Sequence, residues 1–227
     1  FEVLGPSTQN GLVRVLLAAS RSENVDQRVE TLAIGGLTTK VMDIESYAIE
    51  RTFSLMMLDN LPHNPKVVAL IDIGHKQTTL YIAKDGEFIY NREQSFGGEQ
   101  LTEAIQNHYG MPYHDATIGK HEYTLAPDYR ENVLMPFIEN VVQQISRSLQ
   151  FYFSSSEYNS VDHIVLCGGT SNLPGLVEMV QERMGGLVSI ANPFEGVSIS
   201  NRIDTTALQK DASSLLAACG LALRSFD

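Results

Sequence analysis

The chain has 227 residues, of which 43% are hydrophobic and 19% are charged, and its formal net charge at pH 7 is −11. This length accommodates two compact cores, and the composition is that of an ordinary globular protein. The acidic balance argues against non-specific binding to nucleic acid and against an anionic membrane surface. No uninterrupted apolar run approaches the length of a membrane span, so we expect neither a nucleic-acid partner nor direct membrane insertion.

The first part of the chain predicts two short strands followed by alternating helices and connections. Gly5-Pro6-Ser7 is typical of a turn between the strands, and Ser22 is a suitable N-cap for the first helix. Two prolines and an asparagine close to residue 63 indicate a linker. We therefore expect strands at 2–4 and 12–18, a helix at 22–36, a strand at 40–44, a helix at 46–58 and a linker at 61–65.

The remainder of the chain predicts a sheet whose strands alternate with helices. Asp85-Gly86 favours a tight hairpin turn between the second and third strands of the 67–94 stretch. Apolar residues recur every three or four positions over 131–155, which predicts one long amphipathic helix. Further helices are expected at 96–110, 112–123, 173–185 and 211–226, and further strands at 161–167 and 187–190.

The stretch from Val67 to Gly74 is an apolar run that ends in Asp72-x-Gly74. The run predicts a strand buried on both faces. Gly74 permits a tight reversal whose backbone N–H groups can meet an anion, and an aspartate at this point suits a hydrated metal ion that accompanies phosphates. The alternative is an ordinary hairpin with turn-favouring residues.

A second buried-type strand runs into Gly168-Gly169-Thr170 and is followed by a helix. Two glycines between a strand and a helix let a flat ligand lie against the backbone, although the same turn also occurs without a ligand. No Walker-type glycine-rich lysine motif is present, and the six histidines show no metal-ligand spacing. Cys167 and Cys219 lie among small apolar residues, which predicts buried thiols in a reducing compartment.

Together these two stretches resemble the phosphate-2 and adenosine motifs of the actin-like ATPase superfamily. Within it, the sequence is similar to the PilM family of the type IV pilus inner-membrane assembly platform along nearly its whole length. The similarity is carried by VLLAA from Val15, VMDIESYA from Val41 and GGEQLTEAIQ from Gly97.

The resemblance implies a mixed α/β fold: an actin-like, ribonuclease-H-like second half together with a remnant of the first half. The expected subdomains are the end of a 1C-like part at 1–37, part of a 1A-like part at 38–62, a 2A/2B-like half at 63–200 and a C-terminal helix packing back on 1A at 201–227. Only one Asp-x-Gly strand is present and residue 1 is not methionine, so the chain is expected to be an N-terminally truncated fragment.

The resemblance also implies the ligand, ATP with Mg²⁺. Asp72 would hold the metal through water, and the backbone from Gly74 to Lys76 would meet the phosphates. The full nucleotide-binding set implied is Asp72, Gly74, His75, Lys76, Gly97, Gly98, Lys120, Gly168, Gly169 and Thr170. The chain departs from the family at Thr117, where relatives carry a glutamate, and at His75 and Lys76, where they favour small residues.

The function implied is a cytoplasmic scaffold at the inner-membrane face. It would bind the cytoplasmic tail of a PilN-like membrane partner and contact the pilus motor ATPases, and it could form homo-oligomers. ATP binding by this chain is expected to be weak, without measurable hydrolysis. Two alternatives stay open: an actin-superfamily enzyme such as a sugar kinase or phosphatase, and an FtsA-like division filament protein.

Overall fold

The computed structural model describes residues 2–7, 9, 11–122 and 124–224, and it divides into two compact units between Ile44 and Glu45. In the first unit, strand β1 (Glu2–Pro6) pairs antiparallel with strand β2 (Val13–Leu16), and helix α1 covers Ser22–Ile34. The predicted strand pair and helix are thereby confirmed.

Three details of the first unit differ from the prediction. Gly5 and Pro6 belong to β1, so the turn comes later than expected. Arg21, not Ser22, is the N-cap of α1, and no side chain caps this end. The strand predicted at 40–44 is wrong, because those residues have no regular secondary structure. An alternating apolar pattern becomes a strand only where a neighbouring strand completes the hydrogen-bond ladder.

The second unit is built on a five-stranded mixed sheet with the strand order β5-β4-β3-β6-β7. Strand β3 pairs antiparallel with β4 and parallel with β6, and β4 continues antiparallel into β5. The Asp85-Gly86 hairpin lies between β4 and β5, and both residues have positive φ angles. The strands are β3 (Val67–Ile73), β4 (Thr78–Lys84), β5 (Glu87–Gln94), β6 (His163–Cys167) and β7 (Leu187–Ile190).

Helices surround this sheet and confirm most of the predicted ones. Helix α2 continues through a π turn at Phe53–Met57 and a 3₁₀ turn at Leu58–Asn60, and the long helix α5 is preceded by a π turn at Arg130–Leu134. Among the helices described, none is long and apolar enough to cross a membrane. The helices are α2 (Glu45–Thr52), α3 (Gly98–Tyr109), α4 (Tyr113–Glu122), α5 (Met135–Ser155), α6 (Leu176–Met184), α7 (Thr205–Asp211) and α8 (Leu216–Ala222).

The strand residues alternate between two hydrophobic cores, one on each face of the sheet. Ala69, Ile71 and Ile73 of β3 join the core formed with α3, α5 and α6. Val68 and Leu70 join the core formed with α2 and α8. Side chains of a strand point to opposite faces in turn, so Asp72 lies on the α2 side of the sheet.

The single helix predicted for 211–226 is wrong, because Asp211 ends α7, a 3₁₀ turn follows at Ala212–Ser214, and α8 covers only Leu216–Ala222. Phe226 lies outside the described residues. The break has a tertiary cause. The carbonyl of Ser213, in the 3₁₀ turn, accepts a hydrogen bond from the Gly168 N–H at 2.8 Å, so the interruption lies where the chain is bonded to the end of β6.

The small residues predicted in the last helix serve a close helix crossing. A Cβ atom on Gly220 would overlap the backbone carbonyl of Ala48 in α2. Two α2 side chains reinforce the crossing: Arg51 donates to the Gly220 carbonyl at 2.6 Å and Thr52 donates to the Leu216 carbonyl at 2.7 Å. Helix α8 is thereby fixed against the first helix of the same unit.

Candidate functional site

The two glycine-containing strand ends meet side by side. Because β3 and β6 are parallel neighbours with Asp72 opposite Cys167, their carboxyl ends lie at the same edge of the sheet. Thr170 donates from its backbone N–H to the Ile73 carbonyl at 3.0 Å and from its hydroxyl to the Gly74 carbonyl at 3.0 Å. The turns following the two strands are therefore bonded directly to each other.

Gly168 is required at this junction. Its φ of +86° lies in the region that glycine adopts without strain. A Cβ atom there would overlap a carboxylate oxygen of Asp72 and would lie 2.6 Å from the Ile73 carbonyl oxygen. The close approach of the β6 turn to Asp72 therefore depends on a residue with no side chain.

The turn after β3 is held by the start of helix α3. The N–H groups of Gly98 and Glu99 donate to the carbonyls of Gly74 and His75 at 2.9 and 2.7 Å. The Gly74 N–H donates to the Gln77 carbonyl at 2.9 Å, so it is already used within the turn. Within the described chain, the N–H groups of His75 and Lys76 make no such bond, so both are available to an anion.

Gly97 and Gly98 allow α3 to pack against this turn. A Cβ atom on Gly97 would lie 2.5 Å from the Gly74 carbonyl oxygen, and one on Gly98 would lie 2.6 Å from the Thr170 hydroxyl. Gly97 also donates its N–H to the Gln100 side-chain oxygen at 2.7 Å, which satisfies one backbone donor at the start of α3. Gly97 is thus explained by close approach to the backbone of the β3 turn, and Gly98 by close approach to the Thr170 side chain.

A cavity of about 290 Å³ opens where these segments converge. Five residues of the predicted nucleotide set line it. Gly74, Gly97 and Gly168 lie in the adjoining turns, and Asp72 lies in β3 and is not among the lining residues. Lys76 is apart from the rest: its side chain is 74% exposed and lies 3.7 Å from the Glu99 carboxylate. The lining residues are His75, Gly98, Leu101, Lys120, His121, Gly169, Thr170, Asn172 and Leu173.

The carboxylate of Asp72 is the most perturbed acid at the site. Burial, followed by the negative charge of Glu45, raises the pKa of Asp72 from 3.8 to about 6. No hydrogen bond from the described residues reaches this carboxylate, and no group of three or more His, Cys, Asp or Glu among them could hold a metal ion by itself. A half-buried acid of this kind suits a cation that brings its own water ligands.

Lys120 brings a positive charge to the lining of the cavity. Its ammonium donates to the Gly98 carbonyl at 3.1 Å and to the Thr102 hydroxyl at 2.8 Å, and burial lowers the pKa of the lysine. Both partners are neutral, and no carboxylate of the described residues pairs with it. A bound anion would supply the missing counter-charge.

His75 lies at the mouth of the cavity between α3 and α4. Its ring Nε2 is 3.2 Å from the Tyr113 hydroxyl and 3.8 Å from the Glu99 carboxylate, and the side chain is 52% exposed. His75 and Lys76 therefore share one acidic neighbour on α3. An exposed pair of this kind contributes little to stability and leaves both side chains able to rearrange.

Sequence reasoning missed several residues of the site. His121 directly follows Lys120, and Asn172 and Leu173 lie two and three positions after Thr170, so their proximity in the chain was an available signal. Burial, and then the charges of Lys120, Lys210 and His75, lower the pKa of His121. Glu45 gave no signal of its own, because only the fold brings the start of α2 close to β3.

Comparison with known proteins identifies a family and a more distant relative. A family profile described as type IV pilus assembly protein PilM matches residues 1–226. The cell division protein FtsA of Bacillus subtilis (strain 168) is 24% identical over 151 residues, covering 56% of this chain and 34% of FtsA. The chain thus spans about a third of the length of that relative.

Solved structures with the same fold include several actin-like proteins. A PilM-PilN type IV pilus biogenesis complex superposes with a TM-score of 0.76 at 26% identity, covering 90% of this chain and 58% of the other. The ethanolamine utilization protein EutJ of Carboxydothermus hydrogenoformans gives 0.63 at 17% identity, with 91% and 62% covered. MreB5 of Spiroplasma citri bound to AMPPNP gives 0.54 at 14% identity, with 88% and 64% covered.

The expected fold class is thereby confirmed, because the mixed sheet with helices on both faces is shared with these actin-like structures. The family match extends through both compact units, and the structural match covers most of the chain. The chain belongs to the type IV pilus assembly protein PilM family.

Proposed function

We propose that this chain carries the nucleotide-facing part of an actin-like ATP-binding scaffold in type IV pilus assembly. The observation that carries the proposal is the convergence of the two glycine turns on one cavity lined by Lys120, with the Asp72 carboxylate next to the Gly168 turn. The N–H groups of His75 and Lys76 meet the phosphates. Gly169 and Thr170 lie along the nucleoside, since backbone without a side chain accepts a flat ligand.

Asp72 is the proposed metal position. Mg²⁺ supplies positive charge that neutralises the phosphates, and it keeps several of its waters when held by one carboxylate. Above pH 6 Asp72 is ionised and carries an acceptor that no described side chain uses. Asp72 would therefore hold the hydrated ion through water, and Gly168 keeps the space beside its carboxylate free of a side chain.

Lys120 is proposed to act as the cationic anchor within the cavity. Its bonds to Gly98 and Thr102 fix the ammonium against α3, so its position does not depend on the ligand. A charge held in this way costs less to order on binding than a mobile one. The nucleotide would thus be held between a metal-bearing strand end and a fixed cation.

At the level of the whole protein, the proposed role is that of a cytoplasmic scaffold at the inner-membrane face. It binds the cytoplasmic tail of a PilN-like membrane protein and contacts the pilus motor ATPases, with homo-oligomerisation as a further point to test. Support comes from the family match and from the similarity to the PilM-PilN complex. The chain spans 58% of that PilM chain, so the partner is carried over as a proposal.

Calorimetric titration of MgATP into the protein tests the nucleotide site. We expect binding with a dissociation constant above about 1 µM, and at least a tenfold loss in Asp72→Asn, since a bond to a charged group contributes about 1.5–3 kcal/mol. Glu103→Gln, an exposed acid on the outer side of α3, is the matched control. Equal affinity of the wild type and Asp72→Asn in Mg²⁺ would contradict the metal assignment.

Two further assays separate a scaffold from an enzyme. Co-precipitation with a peptide of the PilN-like cytoplasmic tail should recover the protein, whereas a scrambled peptide of the same composition should not. A coupled ATPase assay on the same preparation should show no turnover above a blank. Rapid ATP hydrolysis without peptide capture would favour the actin-superfamily enzyme instead.

A further inference from the structure

Strand β5 lies at one edge of the five-stranded sheet. In the described part of the second unit it pairs with β4 alone, and its 8 residues make it the longest strand of that sheet. Alternate residues of an edge strand direct their backbone N–H and C=O groups away from the sheet, where another extended chain can pair with them. A sixth strand could therefore be added beside β5.

The Arg92 side chain is held in a fixed position on the α5 side of this edge. Its guanidinium carbon is 3.9 Å from the ring centroid of Phe151, so the cation lies over the aromatic face. The Nε atom of Arg92 is buried and has no hydrogen-bond partner in the described chain. A carboxylate would satisfy this group best, because it can accept two hydrogen bonds from one guanidinium.

Phe151 and Arg147 extend the cluster along α5. They are four positions apart in the helix and therefore lie on the same face, one turn apart. Phe151 is 52% exposed, and the other neighbours of Arg147 at three or four positions are glutamines. Among the described residues neither Arg92 nor Arg147 has an ion pair with a carboxylate, although the protein has 27 acidic residues against 16 basic ones.

The neighbouring residues of β5 leave the charge of Arg92 uncompensated. Glu93 follows it directly, and its side chain points to the other face of the sheet because the side chains of a strand alternate. Gln94 shares the α5 side with Arg92 and donates to the Gln144 carbonyl of α5 at 3.4 Å. A cation that only discouraged pairing at the edge would need no aromatic support, and a mobile lysine would be sufficient.

From these contacts we propose that the β5 edge, with Arg92, Phe151 and Arg147, is a docking surface for an extended acidic segment of a partner protein. The segment pairs with β5 as a sixth strand and places its carboxylates on the α5 side. Residues opposite each other in neighbouring strands have Cβ atoms about 4.5–5.5 Å apart, so a glutamate in the added strand can reach the Arg92 guanidinium. Main-chain hydrogen bonds give such pairing its affinity, and side chains at alternate positions give it specificity.

This surface is separate from the proposed nucleotide site, which is formed by the turns after β3 and β6. The inference therefore does not depend on nucleotide binding. It also runs against the net charge of −11, which would repel an acidic segment elsewhere on the protein. Binding of an acidic peptide is for this reason a specific test of the arginine cluster.

The probe is a fluorescently labelled heptapeptide in which threonine alternates with glutamate, so that an extended strand carries all its carboxylates on one face. Fluorescence anisotropy at low ionic strength measures its binding to the protein. We expect saturable binding by the wild type and about tenfold weaker binding by Arg92→Gln, since a hydrogen bond to a charged group is lost. Arg147→Gln, at an exposed position where folding is not at risk, should weaken binding about threefold.

Arg183→Gln is the matched control, because Arg183 is also an exposed arginine and lines the groove between α5 and α6. It removes the same charge and should leave the affinity unchanged. Two further peptides separate the sources of affinity. A peptide that alternates threonine with lysine should not bind. A glutamate peptide with N-methylated backbone amides keeps the carboxylates but cannot complete the ladder, so it should bind at least about tenfold more weakly.

Hydrogen–deuterium exchange locates the bound peptide. It should slow amide exchange in β5 and leave β7, at the opposite edge of the sheet, unchanged. The inference is overturned if the wild type does not bind the glutamate peptide, if Arg92→Gln or the N-methylated peptide binds as tightly as the reference pair, or if protection appears in β7 instead. Equally tight binding of a homothymidine oligonucleotide of the same charge would also overturn it, because the cluster would then be a general anion site.

Discussion

Replacing Asp72 by asparagine should make the protein more stable while it removes the proposed metal position. In the folded protein the pKa of Asp72 is about 6 instead of 3.8, because burial and then the charge of Glu45 disfavour the ionised form. Folding therefore opposes ionisation of this carboxylate. The resulting penalty is absent well below pH 3.8, where the group is protonated in both states, and it grows as the pH rises from 3.8 to about 6.

The size of the effect follows from the shift. Each pKa unit corresponds to about 1.4 kcal/mol, so the displacement from 3.8 to about 6 costs the wild type about 3 kcal/mol at pH 7.5. The amide of the variant would carry no charge and would escape this penalty. We expect Asp72→Asn to raise the free energy of unfolding by about 3 kcal/mol at pH 7.5, and by about half as much at pH 5.

Urea unfolding of both proteins, followed by circular dichroism at pH 5 and pH 7.5, measures this difference. Glu103→Gln controls for the loss of one negative charge from an acidic protein, and it should change stability by less than about 0.5 kcal/mol. Glu45→Gln should recover a smaller part of the gain, because Glu45 is the second cause of the shift. An Asp72→Asn protein no more stable than the wild type at pH 7.5, or one with the same advantage at both pH values, would refute this reasoning.

Three further changes test the packing around the site. Gly220→Ala should lower the free energy of unfolding by about 3 kcal/mol or more and reduce the melting temperature, because the new methyl group would overlap the Ala48 carbonyl. Gly169→Ala has open space around its Cβ position, so its urea midpoint should stay within error of the wild type while MgATP affinity falls in the calorimeter. Asp162→Ala should cost about 2 kcal/mol in urea unfolding, because this carboxylate accepts two backbone N–H groups at 2.9 Å at the start of β3. Unchanged stability in Gly220→Ala or Asp162→Ala, or lower stability in Gly169→Ala, would contradict these assignments.

The local sequence pattern was sufficient to predict the elements that have a characteristic pattern of residues. The buried run before Asp72, the Asp85-Gly86 hairpin and the long periodic helix α5 all appear where they were expected. Secondary structure that depends on neighbouring residues can be predicted from the linear sequence. The predictions for 40–44 and 211–226 were wrong because both depend on contacts with distant parts of the chain. No strand pairs with residues 40–44, and the chain around Ser213 is hydrogen-bonded to Gly168.

The sequence by itself determined that two glycine turns follow two buried strands and that an aspartate precedes the first turn. The tertiary structure alone decided that these strands are parallel neighbours, with Thr170 bonded to Gly74 across 96 residues of chain. It also decided the raised pKa of Asp72 and the position of Arg92 over the Phe151 ring. Burial, the approach of a distant charge and a hydrogen bond to another segment are properties of the folded chain, and no local spacing encodes them.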